Sequence, residues 1–193
     1  MRHNAEYVYA LPFRRDEAFR VCQTYGGARS HTGRSFYSLD FWMPIGSTIC
    51  AARDGRVVTV VEDNRRPRDD SNSIRVQHDD LSVAWYSHIR MNGALVELGD
   101  HVNAGQSIAI SGNTGCSGRP HLHFHVVAGP DRSRVPTRFA TSDGVCDKLH
   151  LDVFYQHPNL QATPRRPETD NHAIHTERRW FGFLDGWFSP AAR

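Results

Sequence analysis

Apolar residues in this chain alternate with polar ones in runs too short for a helix, and most runs end at a glycine or aspartate turn. Alternation with a period of two puts one set of side chains on a buried face and the other on an open one, the mark of a half-buried strand. Candidate strands are "YVYALPF", "YSLDFWM", "TICAA", "RVVTVVE", "SIRVQ", "SVAWYSH", "QSIAIS" and "HLHFHVV"; the turns between them are "RDG", "HDD", "LGD" and "GNTG". No window of helical length keeps a clean 3.6-residue period, so the pattern predicts an all-β domain. Residues 46–60 ("GSTICAARDGRVVTV") and 99–111 ("GDHVNAGQSIAIS") are weakly alike, each passing from a glycine turn through a second turn into an apolar strand. They predict paired hairpins in one sheet system.

With 193 residues, 39% of them hydrophobic, the chain can bury a real core. The expected organisation is one domain over 1–157, with residues 1–20 as an N-terminal strand or extension. From residue 158 the composition shifts to "HPNLQATPRRPETDNHAIHTERR", a linker or loosely ordered C-terminal extension, and ends in "WFGFLDGWFSPAAR". That aromatic tail is expected to fold back onto the domain; a docking element for a wall, membrane surface or partner is the alternative. A net charge of +2 excludes a nucleic-acid footprint, and the densest basic run, "NRRPRDD", carries its own acidic neutralisation and reads as a solvated loop. Cys22, Cys50, Cys116 and Cys146 form no C-x-x-C pair, which disfavours a cysteine zinc site but permits a disulfide in an oxidising compartment. No stretch is long and apolar enough to span a membrane or to serve as a leader peptide.

"RPHLHFHVV" places His121, His123 and His125 at every second position, so all three project from one face of a strand. They could bind a metal, carry protons, or simply alternate with Leu122, Phe124 and Val126. A catalytic zinc needs three protein ligands, commonly histidine and carboxylate, with one position left open. Asp40 sits in an alternating strand where Leu39 and Phe41 face the core and Ser38, Asp40 and Trp42 the other side. His31, in a turn beside Gly33, together with Asp40 and one histidine of the strand would complete such a set. His88 closes the strand "VAWYSHIR", where a side chain can reach a shared cleft.

The chain resembles the lysostaphin-like (LytM-type) zinc endopeptidases that cut peptidoglycan. The resemblance is carried by "HTGRSFYSLDFWMPIG", "YSH" at 86–88, "LGDHVNAGQSIAISGNTG" at 98–115 and "PHLHF" at 120–124, in the family's order; "RVPTRF" through "LDVFY" also looks like the terminal strands of some relatives. It implies an antiparallel sheet and barrel-sandwich hybrid, one zinc ion held by His31, Asp40 and His123, and His88 and His121 flanking the water that the metal activates. Two departures stand out. Many members place the aspartate four residues after the first histidine, whereas nine positions separate His31 from Asp40; and His125 stands where relatives usually have another residue. His125 lies about 13 Å from His121 at 3.3 Å per residue, too far to share one metal position, and its alanine variant is expected to keep both zinc and activity.

The resemblance implies metal-assisted hydrolysis of a peptide bond, in which a neutral histidine accepts a proton from water and a protonated one stabilises the oxyanion or feeds the leaving amine. Which of His88 and His121 does which is open. Tyr25 is either an oxyanion donor or a turn aromatic, and His78, Asp79 and Asp80 read as structural turn residues. The expected partner is a peptidoglycan peptide, with no nucleic acid and no transmembrane segment, and the expected location is periplasmic or secreted, with the leader absent from this chain. A non-catalytic LytM-type regulator or cell-wall-binding module is the alternative, and the presence of all five residues argues against it. A lipoyl-type or biotinyl-type carrier, suggested by "VELGDHVNAGQSIAI", needs a lysine at a hairpin tip, and the one lysine, Lys148, lies elsewhere.

Overall fold

The apolar halves of the alternating runs meet in a single core. Leu122, Phe124 and Val126 from one strand, Leu39 and Phe41 from another and Tyr86 from a third are all 0–1% exposed. Phe124 packs edge-on against Tyr86 at 5.3 Å and Phe139 at 5.8 Å, a geometry aromatic rings prefer. Truncating a phenylalanine in such a site costs about 3–5 kcal/mol. The structure, a computed structural model, describes residues 3–64 and 70–158. The expected linker and aromatic tail therefore lie outside the described residues, apart from Pro158.

The described residues are strands and loops, with one 3-10 turn at Gly33–Ser35. In chain order the strands are β1 (Val8–Tyr9), β2 (Ala18–Gln23), β3 (Leu39–Trp42), β4 (Thr48–Cys50), β5 (Gly55–Val61), β6 (Ser73–Gln77), β7 (Val83–Ser87), β8 (Ile89–Ala94), β9 (His101–Val102), β10 (Ser107–Ser111), β11 (Leu122–Ala128), β12 (Ser133–Val135), β13 (Arg138–Thr141), β14 (Gly144–Cys146) and β15 (Phe154–Gln156). The main sheet runs β15-β2-β3-β11-β7-β6-β5-β9, with β12 also on β11; β4-β10-β8 and β1-β13-β14 form two smaller sheets. The all-β expectation holds. The two look-alike segments lie side by side, β4 antiparallel to β10 and β5 antiparallel to β9, although the two pairs belong to different sheets.

Register is what positions the open face. His123 lies opposite Asp40 of β3 on one side and Ser87 of β7 on the other, and His125 lies opposite Trp85. A slip of one residue would send all of these side chains into the core, and the buried Leu122, Phe124 and Val126 prevent it. A bulge between Val21 and Gln23 brings Gln23 opposite Asp40 as well. All four cysteines are free thiols, so the disulfide that the even count permits is not formed.

Candidate metal centre

Three side chains converge on the open face of the main sheet. Asp40 Oδ1 lies 2.7 Å from His123 Nδ1 and 3.2 Å from His31 Nε2. Asp40 and His123 come from paired strands, while His31 is delivered by the loop after β2, where its backbone N–H donates to the Gly27 carbonyl. The His31 ring is fully buried; its Nδ1 faces the Thr24 carbonyl at 3.0 Å, so that nitrogen carries the proton and Nε2 presents a lone pair. That Nε2 is buried without a hydrogen-bond partner. An orphaned imidazole nitrogen beside a carboxylate and a second imidazole is a donor set that suits a metal cation, and the three ligand atoms lie within 4.8 Å of one another. Ligand atoms at zinc distances in a tetrahedron stand about 3.4 Å apart, so the spacing asks for little rearrangement.

The electrostatics agree. Burial pushes the Asp40 carboxyl up, but hydrogen bonding from His123 and the nearby His31 and His121 rings outweigh it and hold the group well below the usual carboxylate range. Burial pushes His123 down despite its bond to Asp40. Neutral imidazoles and an ionised carboxylate are the protonation states that metal ligation requires. Gln23 Nε2 donates to the other oxygen, Asp40 Oδ2, at 2.8 Å and also to Ser30 Oγ at 2.8 Å, which fixes the carboxylate from behind.

His88 and His121 stand beside this cluster with ring centroids 4.4 Å apart. His88 follows Ser87, so a regular strand would aim it at the core. Its backbone instead adopts a left-handed φ of 67°, which breaks the alternation. Such a conformation in a residue with a Cβ carries a strain of about 1–3 kcal/mol and persists only where the surroundings enforce it. Here they do: Thr114 O lies 2.7 Å and Ser71 Oγ 3.2 Å from His88 Nδ1, and the His88 backbone N–H donates to Ser71 Oγ at 2.8 Å. His121 is held likewise, its Nδ1 2.7 Å from the Arg119 carbonyl and 3.1 Å from Ser117 Oγ. A carbonyl only accepts, so Nδ1 carries the proton on both rings and Nε2 is the free basic atom. His121 Nε2 lies 3.7 Å from Asp40 Oδ1. Burial, followed by the neighbouring His121, pushes the His88 pKa down to about 4.

The sequence-level candidates His31, Asp40, His88, His121 and His123 are thus brought together. A model of peptidase family M23 matches residues 34–135, just over half of the chain. The chain belongs to peptidase family M23. The M23 match includes Asp40, His88, His121 and His123, and His31 lies just ahead of it. Lysostaphin from Staphylococcus simulans is 38% identical over 93 residues, 48% of this chain and 18% of its own. The peptidoglycan DD-endopeptidase ShyB of Vibrio cholerae is 33% identical over 117 residues, 58% of this chain and 26% of its own. Among solved structures, a zinc-containing peptidase from Vibrio cholerae superposes with a TM-score of 0.51 at 27% identity, covering 67% of this chain and 39% of that one. The chain therefore spans about a fifth to a quarter of the length of these curated relatives.

Within this M23 frame the structure corrects the reading of His125. It is too distant to share a metal with His121, as strand arithmetic requires, but it is not a bystander: its Nδ1 lies 3.3 Å from His123 Nε2, the ring edge opposite Asp40. The arithmetic followed one strand and took no account of ring orientation. Tyr25 falls on the structural side of its two readings, because its hydroxyl is buried against Thr137, 2.7 Å from Oγ1, and accepts the Thr137 N–H at 2.8 Å. His78 is structural as expected, with Nδ1 2.8 Å from the Asp54 carbonyl. Gln23, Ser71 and Thr114 were missed. The only signal for Thr114 was its place in "GNTG".

Proposed function

We propose that this M23 chain is a zinc-dependent endopeptidase that hydrolyses peptide cross-links or stem peptides of bacterial peptidoglycan, working outside the cytoplasm in the periplasm or as a secreted protein. The observation that carries the reading is the convergence of His31 Nε2, Asp40 Oδ1 and His123 Nδ1 beside two further histidines, each tautomerically locked to present Nε2. The names of the M23 relatives, lysostaphin and a peptidoglycan DD-endopeptidase, support the substrate class. Among the described residues no helix is long and apolar enough to cross a membrane.

His31, Asp40 and His123 would hold the ion. Zinc, when bound, supplies Lewis acidity and brings the pKa of water to about 7. The chain's own residues supply the rest. Either His88 Nε2 or His121 Nε2 accepts the proton from the attacking water, since both are unprotonated in the tautomers their carbonyl partners impose. The ring that has taken the proton is then a donor, able to stabilise the developing oxyanion or protonate the leaving amine. Thr114 and Arg119, through their carbonyls, keep each ring from rotating out of line.

The test is metal content by mass spectrometry together with release of peptides from purified peptidoglycan. His123→Ala should lose both zinc and activity, whereas His121→Ala should keep most of its zinc and lose activity. A wild-type protein that binds no zinc and releases no peptide overturns the reading.

A further inference from the structure

The open face does not end at the metal centre. Beyond His123 the same face of β11 continues through His125 and Val127 into a groove of about 630 Å³, within the range of ligand-sized pockets. Trp85, opposite His125 in register, lies with it along the groove. One wall is the 3-10 turn with Phe36 and Tyr37, which are 44% and 37% exposed; the other is the turn between β11 and β12.

Charge is distributed unevenly around it. Arg34, Arg132 and Arg134 line the groove against a single carboxylate, Asp131. In a chain of net charge +2 this is a local excess of cation. Asp131, whose oxygens accept bonds from the Ser133 backbone N–H and hydroxyl, offsets one of the three, so the lining keeps a net positive charge. Arg134 is pinned by its bond to Ser38 Oγ, which ties β12 to the segment before Asp40. Arg34 and Arg132 take part in none of the ion pairs among the described residues. Arg132 is held at the turn by a φ of 51° and its backbone bond to the Gly129 carbonyl.

We infer that this groove is a substrate subsite for a carboxylate-bearing residue of the peptide, recognised by Arg34 and Arg132 with its carbon chain against Phe36 and Tyr37. The inference rests on the endopeptidase reading, since it supposes that one chain occupies both the metal centre and the groove. Planar guanidinium groups bind carboxylates through paired, charge-assisted hydrogen bonds, and exposed aromatic walls cover the aliphatic part. The distance along β11 from His123 to Val127 is about 13 Å at strand rise. An extended substrate covers about 3.3–3.6 Å per residue, which sets the carboxylate about four residues from the bond that is cut.

The subsite is tested by calorimetric titration of the zinc-loaded protein with two end-blocked peptides, five glycines flanked on each side by glutamate, or by glutamine. The wild type should bind the glutamate peptide about tenfold more tightly or better at low salt. The Arg34→Gln/Arg132→Gln double variant should bring the two affinities within about twofold, leaving zinc content and the glutamine peptide's affinity unchanged. Equal affinities in the wild type, no measurable binding of either peptide, or an equal loss for both peptides in the variant overturns the subsite. Peptide release from purified peptidoglycan by the same wild-type preparation is read separately. Its absence alongside a retained glutamate preference counts against the endopeptidase reading and not against the groove's chemistry.

Discussion

The ring nitrogens of His123 point in opposite directions, Nδ1 to Asp40 Oδ1 at 2.7 Å and Nε2 to His125 Nδ1 at 3.3 Å. If Nδ1 binds an ion, Nε2 carries the proton and His125 Nδ1 is its acceptor. Buried between Trp85 and His123, His125 is the group that sets how the His123 ring is turned. Groups of this kind typically account for about 10–100-fold in metal affinity. His125→Ala should therefore weaken zinc binding by about that factor in a chelator competition, and His125→Gln, which retains an acceptor oxygen, should recover part of it. Unchanged affinity in the alanine variant would show that the contact does not orient the ligand.

Gln23 makes a parallel case on the other side of the site. It donates to Asp40 Oδ2 in a buried setting, and hydrogen bonds to charged groups contribute about 1.5–3 kcal/mol. Gln23→Leu should lower the unfolding free energy of the metal-free protein by about that amount in urea titrations, because the carboxylate oxygen is left buried without a donor. Gln23→Glu should be worse, with two carboxylates facing one another.

In the proposed reaction one of His88 and His121 takes the water's proton while the other ring, 4.4 Å away, serves the same step, so their substitutions should not add. Each alanine variant should lose about 10²–10⁴ in kcat, with zinc content unchanged. The double variant should lose little more than the worse single one. Losses that multiply would instead assign the two rings independent tasks.

Acid should destabilise the metal-free fold through His78, whose ring is 3% exposed and whose pKa burial pushes down to about 4. Between about 6.5, the unfolded value, and 4, the unfolded chain binds a proton that the native chain does not, so stability falls as pH falls through that window. His78 alone should contribute about 2 kcal/mol of loss by pH 5. The half-buried His88 and the buried His125, both shifted the same way, steepen the dependence. Urea midpoints measured from pH 7 to pH 4.5 check it; a flat profile would mean that these rings are solvated in the native state.

Much of the frame was legible because burial enforces alternation. β3, β6 and β11 each fall within a run whose apolar and polar residues alternate cleanly or nearly so, whereas β7 and β10 are short apolar runs bounded by serines. β2 escaped notice because "AFRVCQ" puts only Val21 and Gln23 fully inside, and a polar buried residue breaks the pattern. The nine-residue step from His31 to Asp40 proved harmless, since it is taken up by the loop around the 3-10 turn, leaving Asp40 in register with His123. What could not be read was whatever depends on ring orientation or on contacts between distant loops. Thr114 and Ser71 meet at His88 from separate loops, and the left-handed backbone that turns His88 back to the open face has no signature in the letters.

That loop meeting point yields the last prediction. Gly115 has a φ of +76°, and a Cβ built on it would stand 2.7 Å from Ser71 Cα and 2.8 Å from Ser71 Cβ. The neighbouring Thr114 carbonyl and Ser71 Oγ are the two groups that hold His88. Gly115→Ala must therefore either strain its own backbone or push the Ser71 segment away, at a cost of about 1–3 kcal/mol. Neither route touches His31, Asp40 or His123. Zinc affinity should stay within about twofold of wild type, while kcat falls by about tenfold or more, because a misplacement of about 1 Å at a proton acceptor is enough to do so. Parallel loss of zinc and activity would instead mean that the loop supports the whole centre rather than His88 alone.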